Sequence, residues 1–273
     1  MQNSRLEAMN RDFNKDNLEG LIYGGLIGHR IHFFDTIDST NTYAAVLATD
    51  GAREGEAVIA DCQTAGRGRL RKRVWHSPPG RNLYTSIILR PDIPPVFAPG
   101  LTLVAGVAVA ELLGGYCPVS LKWPNDVLAG GRKISGILTE MRSKGSKVDF
   151  VVVGVGINVN MEPGDFQEEL RPLSTSLKEQ TSKNASRLEL TAGLYRLLEK
   201  WYRIFIEGGL VPVRDRWLEC SDIVGKTIEV TDRGALQKGK CQGIDDEGML
   251  LLVDEENRTV PVRSGDVTIQ KDR

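Results

Sequence analysis

Residues 132–160, RKISGILTEMRSKGSKVDFVVVGVGINVN, decide the architecture of this chain. RKISGILTEMR and the run that begins KVDFVVV are extended, β-branched segments, and SKGSK (143–147) between them carries the glycine and short polar residues of a tight turn. They read as an antiparallel strand pair. Working outward, RIHFF (30–34), EAVIADCQT (56–64), NLYTSIILR (82–90) and VSLKW (119–123) read as further strands, the last stopped by Pro124. DSTNTYAAVLATDG (38–51) reads as a turn and a helix, with Asp38, Ser39 or Thr40 able to cap its start and Gly51 after its end. The apolar run Leu101–Leu113 follows the Pro-rich loop PPVFAPG and reads as a buried helix. Strands and helices mix here without a regular βαβ rhythm. That argues for an α+β domain with a mixed, mostly antiparallel sheet over a doubly wound one.

Further on, Ser186 and Glu189 match a capping box, and Leu190, Leu194, Leu197, Trp201 and Phe205 follow at helical spacing. A stripe of this kind faces a core far more often than a cofactor. A short helix holds Trp217 and Leu218. After Ser221 the texture changes to short strands divided by Gly, Asp and Asn turns, which spells a small β barrel of about 50 residues. At the other end, residues 1–28 form a polar leader with one short apolar piece, LEGLIYGGLIG. It is too short for an independent domain such as a DNA-reading winged helix, which needs about 60 residues. The expected division is a leader (1–28), a catalytic domain (29–220) and a β barrel (221–273).

The chain has 273 residues, with 35 Lys and Arg against 36 Asp and Glu, a net charge of −1. Bulk attraction to DNA or to anionic membranes is therefore not expected, and any anion site must be local. Cys62, Cys117, Cys220 and Cys241 make no C-x-x-C pair and no zinc spacing, so they read as reduced thiols of a cytoplasmic protein. The N-terminus lacks a signal core, and Leu101–Leu113 is short of the about 20 residues that a bilayer span takes.

Four stretches carry polar chemistry. TAGRGRLRKRVW (64–75) gathers five cations around two glycines. Glycines let amide N–H groups turn toward an anion and arginines add forked donors, although a solvated basic loop looks the same in isolation. It is neither a Walker A loop nor a Rossmann fingerprint. In KWPNDVLAGGRK (122–133), a tight turn would bring Asp126 and Lys133 to one end of the sheet, as a site or as a surface ion pair. Gly154 and Gly156 end a β run before Asn158 and Asn160; such glycines mark a close approach or simply a bulge. DSTN offers hydroxyl and amide groups at a helix start, or a plain cap.

Together, DSTN (38–41), QTAGRGR (63–69), W-x-SP (75–78), KWPND (122–126), GRKISGIL (131–138) and GVGINVN (154–160) resemble the biotin–protein ligase family, in a short form. The resemblance runs from about residue 30 to the C-terminus. It implies the fold shared with class II aminoacyl-tRNA synthetases, followed by an SH3-like barrel. It also implies an enzyme that joins biotin and MgATP into biotinyl-5′-AMP, releases pyrophosphate, and passes biotin to a lysine of a biotin carboxyl carrier domain. On that resemblance Ser39, Thr40, Asn41 and Gln63 would line the biotin pocket, and Arg67, Gly68 and Arg69 would close over the adenylate. Lys133 would sit between carboxylate and α-phosphate, Trp75 against adenine, Asn125 and Asn158 in the nucleotide pocket, and Asp126 before the incoming lysine. Mg²⁺ would come through the ATP phosphates, with no fixed protein site.

The loop departs from the family's G-R-G-R-x-G-R-x-W by one added residue before Trp75 and a missing third glycine, so Leu70–Arg73 has no assigned register and Arg73 is the match to the later arginine. The rival readings are a lipoate–protein ligase of the same fold and a biotin-responsive DNA-binding repressor. The −1 charge and the short leader speak against the latter, and the resemblance admits a homodimer.

Overall fold

The computed structural model describes residues 12–69, 73–232 and 234–269. Leu70, Arg71 and Lys72, with the first part of the leader, lie outside the described residues. The first elements among the described residues are α1 (Lys15–Leu21), β1 (Ile31–Ile37), α2 (Thr40–Thr49), β2 (Ala57–Gln63) and β3 (Leu83–Leu89). Then come α3 (Gly100–Gly114), β4 (Val119–Lys122), β5 (Asp126–Ala129), β6 (Arg132–Lys144) and β7 (Lys147–Ile157). After α4 (Leu177–Thr181), α5 (Arg187–Gly208) and α6 (Val211–Glu219), the strands β8 (Thr227–Asp232), β9 (Ala235–Ile244), β10 (Leu250–Val253), β11 (Thr259–Val262) and β12 (Asp266–Ile269) complete the chain.

The seven-stranded sheet has the order β1-β2-β3-β7-β6-β5-β4. β1 and β2 are parallel, and every other neighbouring pair is antiparallel. The mixed, mostly antiparallel α+β reading thus matches the sheet. β5 is the strand that the sequence concealed: four residues are too few for periodicity to register, and the stretch read only as a turn. Gly130 and Gly131, at φ 55° and 74°, make that turn one step later, between β5 and β6.

Strand alternation separates two cores. Val151, Val153, Val155 and Ile157 of β7 face the larger one, with α3 and α5 behind it, whereas Phe150 and Val152 face Ala44 and Ala48 of α2. Continuing the same alternation, Gly154 and Gly156 fall on the α2 side. Ser39 caps α2, its hydroxyl accepting from the Thr42 amide at 3.5 Å, and Ser186 caps α5, accepting from Glu189 N at 3.2 Å.

α3 carries no polar face because it lies between α5 and the sheet. Joined to the turn before it, it forms a 20-residue stretch, Pro95–Gly114, whose most apolar window has a mean hydropathy of 2.0. That corrects the expectation of a run too short to span a bilayer; length and composition suffice, but 67% of its apolar window is buried inside the fold. Phe13, Leu18, Ile22 and Ile27 ahead of β1 are buried in the same core, and Glu199 of α5 accepts the Leu26 and Ile27 amides at 2.7 and 3.1 Å.

The C-terminal strands form an antiparallel sheet of order β11-β10-β9-β8-β12. Its edges, β11 and β12, are not paired with each other among the described residues, so the expected barrel is an open five-stranded sheet. Ile228, Val230, Leu250 and Leu252 join the large core beside Trp217, and Trp123 Nε1 donates to the Gly248 carbonyl at 3.1 Å.

Candidate active site

Directly opposed residues of antiparallel strands share a face. Across β3, β7 and β6, Tyr84, Gly156 and Gly136 make one row, and Ser86, Gly154 and Leu138 the next. All of these but Ser86 line the floor of a cavity on the α2 side. Two side chains lie on the bare backbone. A Cβ on Gly154 would stand 1.9 Å from Asn41 Oδ1, and one on Gly156 would stand 2.6 Å from Trp75 Cε2. A Cβ on Gly136 would meet both Trp75 and Lys133 at 3.0 Å. The glycines of GVGINV thus accommodate side chains of this chain, a reason not visible in their spacing.

The wall at the start of α2 is a continuous polar chain. Gln63 Oε1 accepts the Thr40 amide at 2.9 Å, and Gln63 Nε2 donates to Ser77 Oγ at 2.9 Å. The Thr40 and Ser86 hydroxyls are 2.8 Å apart, and Ser86 Oγ donates to Asn41 Oδ1 at 2.6 Å. Asn41 Nδ2 donates to the Leu138 carbonyl and to Glu140 Oε2, at 3.0 and 2.9 Å. Unmet buried polar groups are costly, and this chain leaves few. Asn41 is fully committed to the wall, while the Ser39 hydroxyl proton and one Gln63 N–H remain for a ligand.

The Gly/Arg loop leaves β2 as a narrow hairpin. Trp75 N donates to Gly66 O at 2.9 Å and Gly68 N to Arg73 O at 2.8 Å. Arg67 forms a bidentate pair with Glu140, at 2.9 and 2.5 Å, that uses both terminal nitrogens. Arg69 Nη2 donates to Asp266 Oδ1 at 2.6 Å and to Gly265 O at 2.9 Å. Lys133 Nζ stands 2.5 Å from Asp126 Oδ1 and 5.4 Å from the centre of the Trp75 ring. A hairpin puts the two groups together, since β5 and β6 pair Asp126 with Gly136 and Leu128 with Lys133. The Trp75 indole N–H is buried without a partner. Burial pushes the Tyr84 phenol far above its usual range, so it remains a neutral donor, held 3.1 Å from the Pro78 carbonyl. Burial, with Asp61 adding to it, also raises the Cys62 thiol, which argues against a thiolate nucleophile beside Gln63.

The cavity brings together Ser39, Thr40, Asn41, Gln63, Arg67, Gly68, Arg69, Trp75, Asn125 and Lys133. Asn125 is tied by Nδ2 to the Ile137 carbonyl at 2.8 Å. Asp126 reaches the cavity through Lys133 and does not itself line it. Asn158 is not among the lining residues; its amide donates to the Thr175 carbonyl at 3.0 Å and supports the structure behind. Sequence reasoning missed Ser86, Glu140 and Asp266. Ser86 and Glu140 are polar residues within β runs, a signal that alternation could have raised. Asp266 is 197 residues from Arg69, and nothing local points to it. Among the described residues no group of three or more His, Cys, Asp or Glu gathers that could hold a metal.

Comparison with known proteins gives two family matches. Residues 33–158 match the biotin/lipoate A/B protein ligase family, and residues 223–269 the biotin protein ligase C-terminal domain. The bifunctional ligase/repressor BirA of Bacillus subtilis is 40% identical over 233 residues, covering 85% of this chain and 71% of that protein. The biotin–[acetyl-CoA-carboxylase] ligase of Paracoccus denitrificans is 34% identical over 82% of this chain and 94% of its own length. Among solved structures, the biotin protein ligase from Aquifex aeolicus in complex with biotin and ATP aligns at a TM-score of 0.76 and 30% identity, covering 89% of this chain and 99% of that one.

Proposed function

The chain belongs to the biotin protein ligase family, and on that premise we propose that the cavity over the Gly136–Gly156 floor holds biotin beside ATP and joins them. The protein is an ATP-dependent biotin–protein ligase that converts biotin and ATP to biotinyl-5′-AMP and pyrophosphate before transferring biotin. A carboxylate must approach a polyanion, so the site has to supply positive charge where negative charge crowds. Lys133 does this: its ammonium, ion-paired with Asp126, lines the cavity where the biotin carboxylate and the α-phosphate would meet. Arg69 adds a second cation at the cavity wall. Arg67, with both terminal nitrogens on Glu140, closes the wall beside Asn41. Ser39 and Gln63 offer the free hydroxyl and amide hydrogens that hydrogen-bond a polar ring, which makes the pocket selective. Trp75 flanks adenine, with Asn125 alongside. Asn158 supports this wall from behind. Mg²⁺ enters with the ATP phosphates.

The acceptor is a lysine of a biotin carboxyl carrier domain. Its amine, with an ordinary pKa of about 10.4, must lose a proton to attack the adenylate; Asp126, behind Lys133, would receive or orient that proton once the acceptor displaces the Lys133 contact. We place this chemistry in the cytoplasm, in keeping with four free thiols. No specific DNA affinity is part of the proposal, given a net charge of −1; specific retention of a biotin-operon operator in a gel shift at physiological salt would refute that part.

The observation that carries the reading is the convergence of Lys133, Arg69 and Trp75 above one glycine floor. Incubation with biotin, ATP and Mg²⁺ should yield biotinyl-AMP by mass spectrometry and pyrophosphate exchange. Exchange with lipoate alone would overturn the choice of acid.

A further inference from the structure

We propose that Asp266, at the first position of β12, is a positioning residue for the adenylate loop; this rests on the reading of the cavity given above. Its two carboxylate oxygens hold the two legs of the loop hairpin separately. Oδ1 lies 2.6 Å from Arg69 Nη2 and Oδ2 lies 2.8 Å from Arg73 Nη2. The neighbouring Gly265 carbonyl takes a second bond from Arg69 Nη2, at 2.9 Å. The hairpin explains how one carboxylate serves both arginines. With Gly68 N bonded to Arg73 O and Trp75 N to Gly66 O, Arg69 and Arg73 emerge at the same end of the stem. Arg73 thereby shares the anchor with Arg69.

The geometry keeps Arg69 in service while it is held. Both of its contacts to the C-terminal sheet use Nη2, and Arg69 still lines the cavity, so Nε and Nη1 remain for an anion. Arg67, in contrast, has both terminal nitrogens on Glu140. Among the described residues none beyond Gly156 lines the cavity. The C-terminal sheet therefore reaches the chemistry through the loop it anchors. An arginine already fixed over the phosphate loses less freedom when the adenylate forms, and the adenylate leaves more slowly.

The test uses the full chain and compares Asp266→Ala, Asp266→Asn and Arg73→Ala with the double variant Asp266→Ala/Arg73→Ala. Release of biotinyl-AMP from the enzyme, followed with no carrier present, should speed up about five- to tenfold in Asp266→Ala, as expected for losing two partly exposed charged contacts. Adenylate formation in a single turnover should stay within about twofold. Arg73→Ala should have a smaller effect, and the double variant should release no faster than Asp266→Ala alone. Asp266→Asn, which keeps one acceptor, should fall between, and it stands in if the alanine variant does not fold. Trypsin cleavage within residues 67–73, measured without substrate, should rise in parallel. Wild-type release and cleavage rates in Asp266→Ala, or additive effects in the double variant, would overturn the proposal. If wild type makes no biotinyl-AMP, the reading of the cavity fails, and the cleavage comparison still decides whether Asp266 anchors the loop.

Discussion

Gly154→Ala tests the floor of the cavity most directly. The new Cβ would stand 1.9 Å from Asn41 Oδ1, 2.8 Å from Asn41 Cγ and 3.1 Å from Asn41 Nδ2. Strand backbone tolerates alanine, and relief of glycine's entropy alone would favour the variant by about 0.5–1 kcal/mol. Against that, the Asn41 amide must move, and at 4% exposure it has little room. Moving it breaks the bonds to Ser86 and to the Leu138 carbonyl, about 1 kcal/mol each, and the charged one to Glu140, about 1.5–3 kcal/mol. The expected net destabilisation is about 2.5–4.5 kcal/mol, read as a lower urea midpoint at constant m-value. Because Asn41 lies in the first turn of α2, which Thr40 begins and Ser39 caps, the KM for biotin should rise by about tenfold or more. A double-mutant cycle isolates the cause. In an Asn41→Ala background, where the amide is gone, Gly154→Ala should cost less than about 1 kcal/mol. An unchanged midpoint in Gly154→Ala, or the same cost in both backgrounds, would refute the idea that this glycine exists to seat Asn41.

Three further outcomes are expected. Lys133→Ala should lower biotin-dependent pyrophosphate exchange by at least about 10²-fold, with the far-UV circular dichroism spectrum unchanged; near-normal exchange would remove Lys133 from the chemistry. Asp61→Ala withdraws the carboxylate 2.5 Å from the buried Arg187 guanidinium, which also lies 4.2 Å from the centre of the Phe13 ring, and should cost about 3 kcal/mol in urea. Burial opposes the charged form of Glu199, but hydrogen bonds from Arg203 and from the Ile27 and Leu26 amides outweigh it and hold the carboxyl below its ordinary range. A depressed carboxyl contributes stability at neutral pH that is lost as pH falls through its folded value. Glu199→Gln should therefore be less stable than wild type at pH 7, with the gap closing in acid; a gap independent of pH would refute this.

The sequence by itself determined what depends on neighbours along the chain. The hairpin of 132–160, a cap within 38–40, the Ser186 cap and the stripe of the long helix follow from periods of 2 and 3.6 and from short polar side chains, and all are present, with Ser39 as the residue that caps α2. The polar motifs were legible as residue types, and ten of the expected site residues line one cavity. Apart from the pairing of Asp126 with Lys133, their partners were not. Whether Gly154 faces a ligand or Asn41 depends on the register that sets Ser86, Gly154 and Leu138 side by side, which is a property of three strands at once. Arg67 finds Glu140 73 residues away, and Arg69 finds Asp266 197 residues away. Asn158, which looked like a nucleotide ligand, turned inward to the Thr175 carbonyl because the chain beyond β7 folds back there. Local pattern selects each strand and helix through its own backbone and solvent. The choice of partner is made only when the sheet order and docking of the C-terminal strands bring distant charges within reach, and no short stretch of sequence encodes that distance.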